Sequence, residues 1–304
     1  MDAWLLQRGT EEPAGLRLRR RLEAQPVVVA PGVFSPLAAV AARRLGFEVL
    51  YVSGAAFSAS LALPDLGLFT LTELVDFVRK VYRACGLPLV VDADTGFGEA
   101  LNVVAAVREL EWAGAAAVQL EDQPLPTRCG HLLGKSVVPA EEMARKVAAA
   151  ASARQHTLVV ARTDARAVEG FEGAVRRALL YREAGADVIF PEALESEEEF
   201  AEFARRVGGL LLANMTEFGR SPYLSARRLG ELGYRIVIFP VTALRAAMKA
   251  AEDALRVLRD EGTQVGILDH LQTRAELYDR IGYHDYERWD AELARRFREG
   301  GEEG

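Results

Sequence analysis

Acidic side chains stand where apolar runs of this chain end, and their types and spacing are what could do chemistry. Asp92 and Asp94 close the run LPLVVDAD (87–94), and Glu121 closes AAAVQLED (115–122). Arg162 and Asp164 lie near the end of TLVVARTDA (157–165), and Glu192 near the end of ADVIFPEA (186–193). A charge that follows a buried apolar run is costly unless it is partnered. Convergence of these groups on a cation and an anionic substrate explains acids after several runs better than isolated salt bridges do. Two residues apart on one strand, Asp92 and Asp94 are expected to face the same way. With Glu121 they form an all-oxygen donor set, which suits Mg²⁺ or Mn²⁺ rather than Zn²⁺. The competing reading makes the two aspartates helix N-caps, but the turn Thr95-Gly96-Phe97-Gly98 separates them from the next helix.

A second group of reactive types sits in the segment QPLPTRCGHLLGKSVV (123–138). It lacks periodicity and exceeds the ~2–6 residues usual for a connection of this kind. Its prolines, glycines and basic residues fit an active-site lid. Within it, Cys129 follows Arg128 and lies two residues from His131, a setting that lowers a thiol pKa and permits proton exchange near neutral pH. The other reading of His131 is a hydrogen bond that tethers the loop. Cys85, between a helix and a buried strand, is expected to be an inert thiol.

These groups need elements to position them. Eight continuous apolar, β-rich runs occur at 27–30, 48–54, 87–94, 115–122, 157–165, 186–193, 209–216 and 234–241. Continuous rather than alternating patterning marks strands buried on both faces of a parallel sheet. Segments of helical period lie between them, at 71–84, 102–113, 141–151, 171–184 and 196–206, and several end in Gly before the next strand. Such a series of β-then-α units predicts a (β/α)8 TIM-type barrel, whose site lies at the C-terminal strand ends. A doubly wound sheet usually has a Gly-rich turn after its first strand, whereas here that turn reads Ala-Pro-Gly-Val-Phe. The organisation expected is an N-terminal helical segment (1–25), a barrel core (26–241), C-terminal helices (242–299) and a polar tail (300–304).

With 44 acidic residues against 37 Lys and Arg, the net charge is −7. That argues against nucleic-acid binding, which needs clustered cations. The one basic run, Arg17, Arg19, Arg20 and Arg21, reads as a face of a surface helix. No apolar stretch approaches the ~18–20 residues needed to span a bilayer, so no membrane role is expected. Two cysteines are too few for a disulfide framework, and a reducing, cytoplasmic setting is the simplest expectation.

Taken together, YVSGAAFSASLALPDLG (51–67), LVVDADTGFG (89–98), QLEDQPLPTRCGH (119–131), VARTDARAVEG (160–170) and LLANMTEFG (211–219) resemble the isocitrate lyase / phosphoenolpyruvate mutase superfamily. Within it, the chain looks like the 2-methylisocitrate lyases. FPEA (190–193), FPVTALR (239–245), EGTQ (261–264) and LQTRAELY (271–278) extend the similarity over roughly residues 27–290. The resemblance implies a Mg²⁺-dependent barrel enzyme that cleaves a small tricarboxylate, 2-methylisocitrate, to pyruvate and succinate in propionate breakdown. It also implies a homotetramer that exchanges C-terminal helices. Asp92 and Asp94 would hold the metal, with Glu121 in its outer shell and Asp65 near the metal waters. Backbone groups of Ser53, Gly54 and Ala55 would bind the pyruvate-forming half, with Arg162 on its carboxylate. Glu192, Asn214, Met215, Thr216, Arg245 and Arg274 match positions around the remaining carboxylates. Cys129, flanked by Gly130 and His131, matches the proton donor to the succinate carbon, and Tyr51 is the expected base. Phe190 stands where isocitrate lyases typically have Trp, leaving room for a methyl group. Thr127 stands where the family usually has Lys, which leaves Arg128 and Lys135 as the nearby cations. Alternatives are an isocitrate or dimethylmalate lyase, an oxaloacetate hydrolase, a phosphonomutase, or a weakly active or binding-only homologue.

Overall fold

Every one of the eight apolar runs coincides with a strand: β1 (Val28–Pro31, one residue past its run), β2 (Leu50–Val52), β3 (Leu89–Asp92), β4 (Ala115–Glu121), β5 (Leu158–Thr163), β6 (Val188–Pro191), β7 (Leu210–Asn214) and β8 (Ile236–Phe239). In the computed structural model, residues 4–6, 12–128, 130–131 and 134–300 are described. All pairings are parallel, in the order β1-β8-β7-β6-β5-β4-β3-β2. The remaining seam is joined by a bridge between Gly32 and Tyr51, and the Val33 N–H donates to the Tyr51 carbonyl at 3.0 Å. The fold is therefore a (β/α)8 barrel.

Helices follow the strands as the helical periods predict. After α1 (Ala14–Ala24) come α2 (Pro36–Arg44), α3 (Gly54–Ser60), α4 (Leu71–Cys85), α5 (Ala100–Ala113), α6 (Ala140–Ala153), α7 (Gly170–Glu183), α8 (Glu197–Val207) and α9 (Ala226–Glu231). Local chemistry sets several of their ends. Thr70 and Glu73 form a reciprocal capping box on α4, and the Ser196 hydroxyl caps α8. Gly114 ends α5 at φ +107°, where the Tyr82 ring would overlap any β-carbon, so the tight turn into β4 needs glycine twice over.

The two-residue period of each strand divides the buried residues into two cores. Val90, Ala117, Leu158, Val160, Val188, Phe190, Leu212, Ile236 and Ile238 fill the barrel interior. Their neighbours Val91, Val118, Val159, Ile189, Leu211 and Val237 pack outward against the helices. The bottom of the barrel is closed by α1, whose Leu18 and Leu22 join the interior cluster. The basic run forms the outer face of this helix, as expected, with Arg20 and Arg21 exposed. Arg17 donates to the Gly86 carbonyl at 2.7 Å, Arg19 pairs with Asp187 at 3.0 Å, and Arg21 pairs with Glu48 at 2.6 Å. The arginines fasten a barrel plug, because a helix whose apolar stripe is buried must turn its charged flanks onto the rim.

After β8 the chain continues into α10 (Thr242–Glu261), α11 (Arg274–Ile281) and α12 (Tyr283–Gly300). Leu244 is the one buried residue of α10, whereas Met248, Leu255 and Leu258 are exposed. Among the described residues, no helix is long and apolar enough to cross a membrane.

The β1–β8 contact gives a direct stability test. A β-carbon on Gly32 would overlap the backbone of Pro240. Gly32→Ala is expected to destabilise the barrel by about 1–3 kcal/mol, the usual range for overpacking, read as a lower midpoint in thermal unfolding. An unchanged midpoint would show that this contact tolerates an added carbon.

Candidate active site

Strand parity carries the interior face past the apolar core and out to the C-terminal mouth. Val90 leads to Asp92, Ala117 to Gln119 and Glu121, and Val160 to Arg162. Phe190 leads to Glu192, and Leu212 to Asn214 and Thr216. One pocket at that mouth is lined by Tyr51, Ser53, Ala55, Asp65, Asp92, Asp94, Glu121, Arg162, Glu192, Asn214, Thr216 and Arg245. Most of the residues singled out in the sequence thus meet in one place.

Its acidic wall is densely charged. Asp92 Oδ1 accepts from Gln119 Nε2 at 2.9 Å and from the Asp94 N–H at 3.3 Å, and Asp92 Oδ2 accepts from the Gly54 N–H at 3.2 Å. Strand alternation does not bring Asp94 here, because β3 ends at Asp92 and Asp94 takes φ +46°. It arrives by a turn, which the Glu121 N–H holds by donating to the Asp94 carbonyl at 2.9 Å. A β-carbon on Gly54 would lie 3.0 Å from Asp94 Oδ1 and 3.2 Å from Asp92 Oδ2, so both carboxylates crowd one bare position. The helix-capping alternative is excluded, since Glu99 and Asn102 cap α5.

Burial raises the pKa of Asp92, although the Arg162 charge opposes it. Burial also pushes Asp94 well above the usual carboxylate range, with repulsion from Asp92 and Asp65 adding to it. Glu121 is raised likewise, chiefly by burial, and Asp65 reaches about 6 through burial and the Asp92 charge. Glu121 Oε1 is buried with no hydrogen-bond partner among the described residues. An unpaired carboxylate oxygen beside two acids with raised pKa values makes an all-oxygen donor set, whose chemistry fits a hard divalent ion. Among the described residues, no three His, Cys, Asp or Glu side chains close to direct ligation of one ion. Magnesium usually keeps several waters and needs only one or two protein carboxylates, so this spacing agrees with it.

Opposite the acids, Arg162 is held from three sides. Its Nε and Nη2 donate to Asp164 at 2.9 and 3.2 Å, Nη1 lies 3.4 Å from Glu121, and the guanidinium sits 5.3 Å from the Phe190 ring centre. Asp164 also takes the Lys135 ammonium at 2.6 Å, and that ammonium in turn donates to the Gly130 carbonyl. Lys135 therefore anchors the loop from behind and does not line the pocket, whereas Arg128 does. Thr127 is buried and lines it as well. Burial pushes the Glu192 carboxyl up, but Arg162, His131 and Lys135 together hold it at about 2. Gly130 packs so closely that a β-carbon would fall 2.6 Å from Arg162 Nη2. Cys129 lies outside the described residues.

Three of the expected residues stand differently from the others. Tyr51, expected as the base, donates its hydroxyl to Gln119 Oε1 at 2.9 Å. Burial and the Asp92 charge raise its pKa well above the usual value, so the phenol is kept protonated. Met215 points away from the pocket into the strand–helix core, because it alternates with Asn214 and Thr216. Arg274 is an exposed residue at the start of α11 and does not line the pocket of its own chain. Arg245, by contrast, stands at the mouth, with Nη1 2.9 Å from the Glu217 carbonyl.

Sequence reasoning missed Gln119, which ties Tyr51 to Asp92. Its signal was a polar amide two residues before Glu121 within AAAVQLE, on a strand buried along its whole length. The role of Asp164 as the brace of both Arg162 and Lys135 was missed too, though its position at a strand end was visible.

The phosphoenolpyruvate phosphomutase family model matches residues 18–259. A 2-methylisocitrate lyase of Aeropyrum pernix is 59% identical over 297 residues, covering 98% of this chain and 96% of that protein. A 2-methylisocitrate lyase of Bacillus subtilis is 48% identical, with 96% and 98% covered. The crystal structure of 2,3-dimethylmalate lyase, a PEP mutase/isocitrate lyase superfamily member, superposes with a TM-score of 0.88 at 35% identity, covering 93% of this chain and 96% of that one. A phosphonopyruvate hydrolase complexed with oxalate and Mg²⁺ does so with a TM-score of 0.83 at 30% identity, with 92% and 99% covered. With its barrel, its acidic mouth and these relatives, the chain belongs to the phosphoenolpyruvate mutase/isocitrate lyase superfamily.

Proposed function

We propose that this protein is a Mg²⁺-dependent carbon–carbon lyase that cleaves 2-methylisocitrate to pyruvate and succinate in the breakdown of propionate. The observation that carries the reading is the pairing, across one pocket, of an under-neutralised carboxylate cluster with the braced guanidinium of Arg162. Such a pocket suits a 2-hydroxy acid that bridges a cation and an arginine. The identity to 2-methylisocitrate lyases supports the choice of substrate.

Asp92 and Asp94 would hold the metal, with Glu121 and Asp65 around its waters, and the bound ion would supply Lewis-acid stabilisation of oxygen charge. Arg162 binds the carboxylate of the pyruvate-forming half. The remaining carboxylates face Arg245, Asn214 and Thr216, with Glu192 and His131 alongside. Cleavage passes the proton of the 2-hydroxyl to a carboxylate of the acidic wall, turns the C2–O bond into the carbonyl of pyruvate and breaks the C2–C3 bond, which leaves the electron pair on C3. Cys129, whose sequence neighbours Arg128 and Gly130 line the pocket, delivers a proton to that carbon. Tyr51, kept protonated, steadies Asp92 through Gln119 and does not take up the hydroxyl proton. Phe190 forms the floor beside the methyl group. The exposed apolar residues of α10, α11 and α12 would be covered in a homotetramer that exchanges these helices, as in a soluble cytoplasmic enzyme.

Two measurements test this reading. Release of pyruvate should be fastest with 2-methylisocitrate in a panel that includes isocitrate and 2,3-dimethylmalate. Cys129→Ser should lower kcat by roughly 10²–10⁴-fold, the scale of a lost general acid. Faster turnover of another member of the panel would reassign the substrate.

The second concerns metal and pH. Asp92, Asp94 and Glu121 have pKa values raised by the fold, so they favour the metal-free fold when protonated at low pH. That contribution is lost as pH rises through the raised values. Mg²⁺ needs the ionised carboxylates, so its stabilisation in thermal unfolding should be largest near about pH 8 and shrink toward about pH 5. A midpoint indifferent to millimolar Mg²⁺ at the higher pH would remove the metal from the proposal.

A further inference from the structure

His131 is held by a part of the chain that lies far from it in sequence. The backbone N–H of Arg220, in the connection between β7 and α9, donates to His131 Nδ1 at 3.0 Å. A neutral imidazole that accepts at Nδ1 carries its proton on Nε2. That Nε2 lies 2.8 Å from Glu192 Oε1, close but off the alignment of a hydrogen bond. Next to this donor, Gly219 lies under the ring. A β-carbon there would sit 2.7 Å from Nδ1, 2.9 Å from Cε1 and 3.0 Å from Cγ. Positive φ is not the reason for glycine at 219, since Gly219 is not among the residues in that region. Space for the imidazole is.

The segment that presents this surface is itself fixed. Phe218 takes φ +60°, a conformation uncommon for an aromatic residue, and its N–H donates to the Tyr223 hydroxyl at 2.8 Å. On the other side, Arg245 grips the Glu217 carbonyl and packs 5.3 Å from the Phe218 ring centre, and Thr242 bonds the Glu217 carboxylate. The strained turn therefore points one bare Cα and one N–H at the loop after β4.

We propose that Gly219 and the Arg220 N–H form a seat for His131, which makes Gly219 a positioning residue that acts through the imidazole on Glu192 and Gly130. The seat selects one tautomer and one ring orientation. By its geometry it couples Arg245, the cation at the mouth, to the loop between β4 and α6. The seat rests on the site described above and not on the choice of substrate; only its kinetic readout uses the lyase assay.

A double-mutant cycle tests it. Gly219→Ala alone should lower kcat/KM about tenfold or more, and should add less than about twofold when His131→Ala has already removed the ring. Mn²⁺ affinity, read by electron paramagnetic resonance, should stay unchanged in all three variants, because the acidic wall is not touched. Tryptic cleavage after Arg128 or Lys135 should be faster in Gly219→Ala than in the native protein, and no faster in the double variant than in His131→Ala. Equal losses in both backgrounds, or native behaviour of Gly219→Ala, would overturn the seat. If Gly219→Ala fails to fold, folding of the double variant supports the seat and its failure overturns it. Should no lyase activity be found, the proteolysis arm still decides the seat while the proposed reaction fails separately.

Discussion

Unneutralised negative charge at the barrel mouth is the constraint around which the rest is arranged. Asp65, Asp92, Asp94 and Glu121 line one wall of the pocket, and the braced cation facing them is Arg162. Burying an unpaired carboxylate is costly enough that a protein usually protonates it or supplies a partner. Here the fold raises the pKa values and leaves Glu121 Oε1 without a hydrogen-bond partner among the described residues.

Holding that arrangement takes a second layer. Asp164 turns Arg162 toward the pocket and is itself positioned by Asp122, whose carboxylate accepts from the Asp164 N–H at 2.9 Å, the Thr163 hydroxyl at 2.7 Å and the Tyr181 hydroxyl at 2.8 Å. Asp122 and Thr163 have the outward parity, so they face the helices and carry the brace through the barrel wall to α7. Arg177 of α7 donates to the Val138 carbonyl at 2.8 Å, where the loop from β4 rejoins the structure. The same network that aims the guanidinium therefore fastens one end of the loop, and Lys135 fastens its middle. Buried polar networks of this kind are stabilising only when every member is satisfied.

How much of this was legible follows from which forces are local. Continuous apolar runs predicted all eight strands, because burial on both faces leaves no polar alternation. Parity within each strand then placed Asp92, Glu121, Arg162, Glu192 and Asn214 on the interior face. The same rule, applied strictly, would have excluded Met215. It misled at Asp94, where the chain has already left β3 and a positive φ does what alternation was expected to do. Tyr51 was expected to be the base. Only its hydrogen bond to Gln119, made across two strands, shows the proton to be engaged.

By itself, the sequence determined the barrel, the end of it that does chemistry and the residue types gathered there. Those depend on side-chain period and on the energetic penalty of burying charge, both of which act within a few residues of the chain. Tertiary structure decided the rest: which carboxylate oxygen is left unpaired, that Lys135 faces Asp164 and not the ligand, and that His131 rests on Gly219. These contacts join residues between 29 and 89 positions apart. Their geometry comes from closing the sheet into a ring, which no local pattern records.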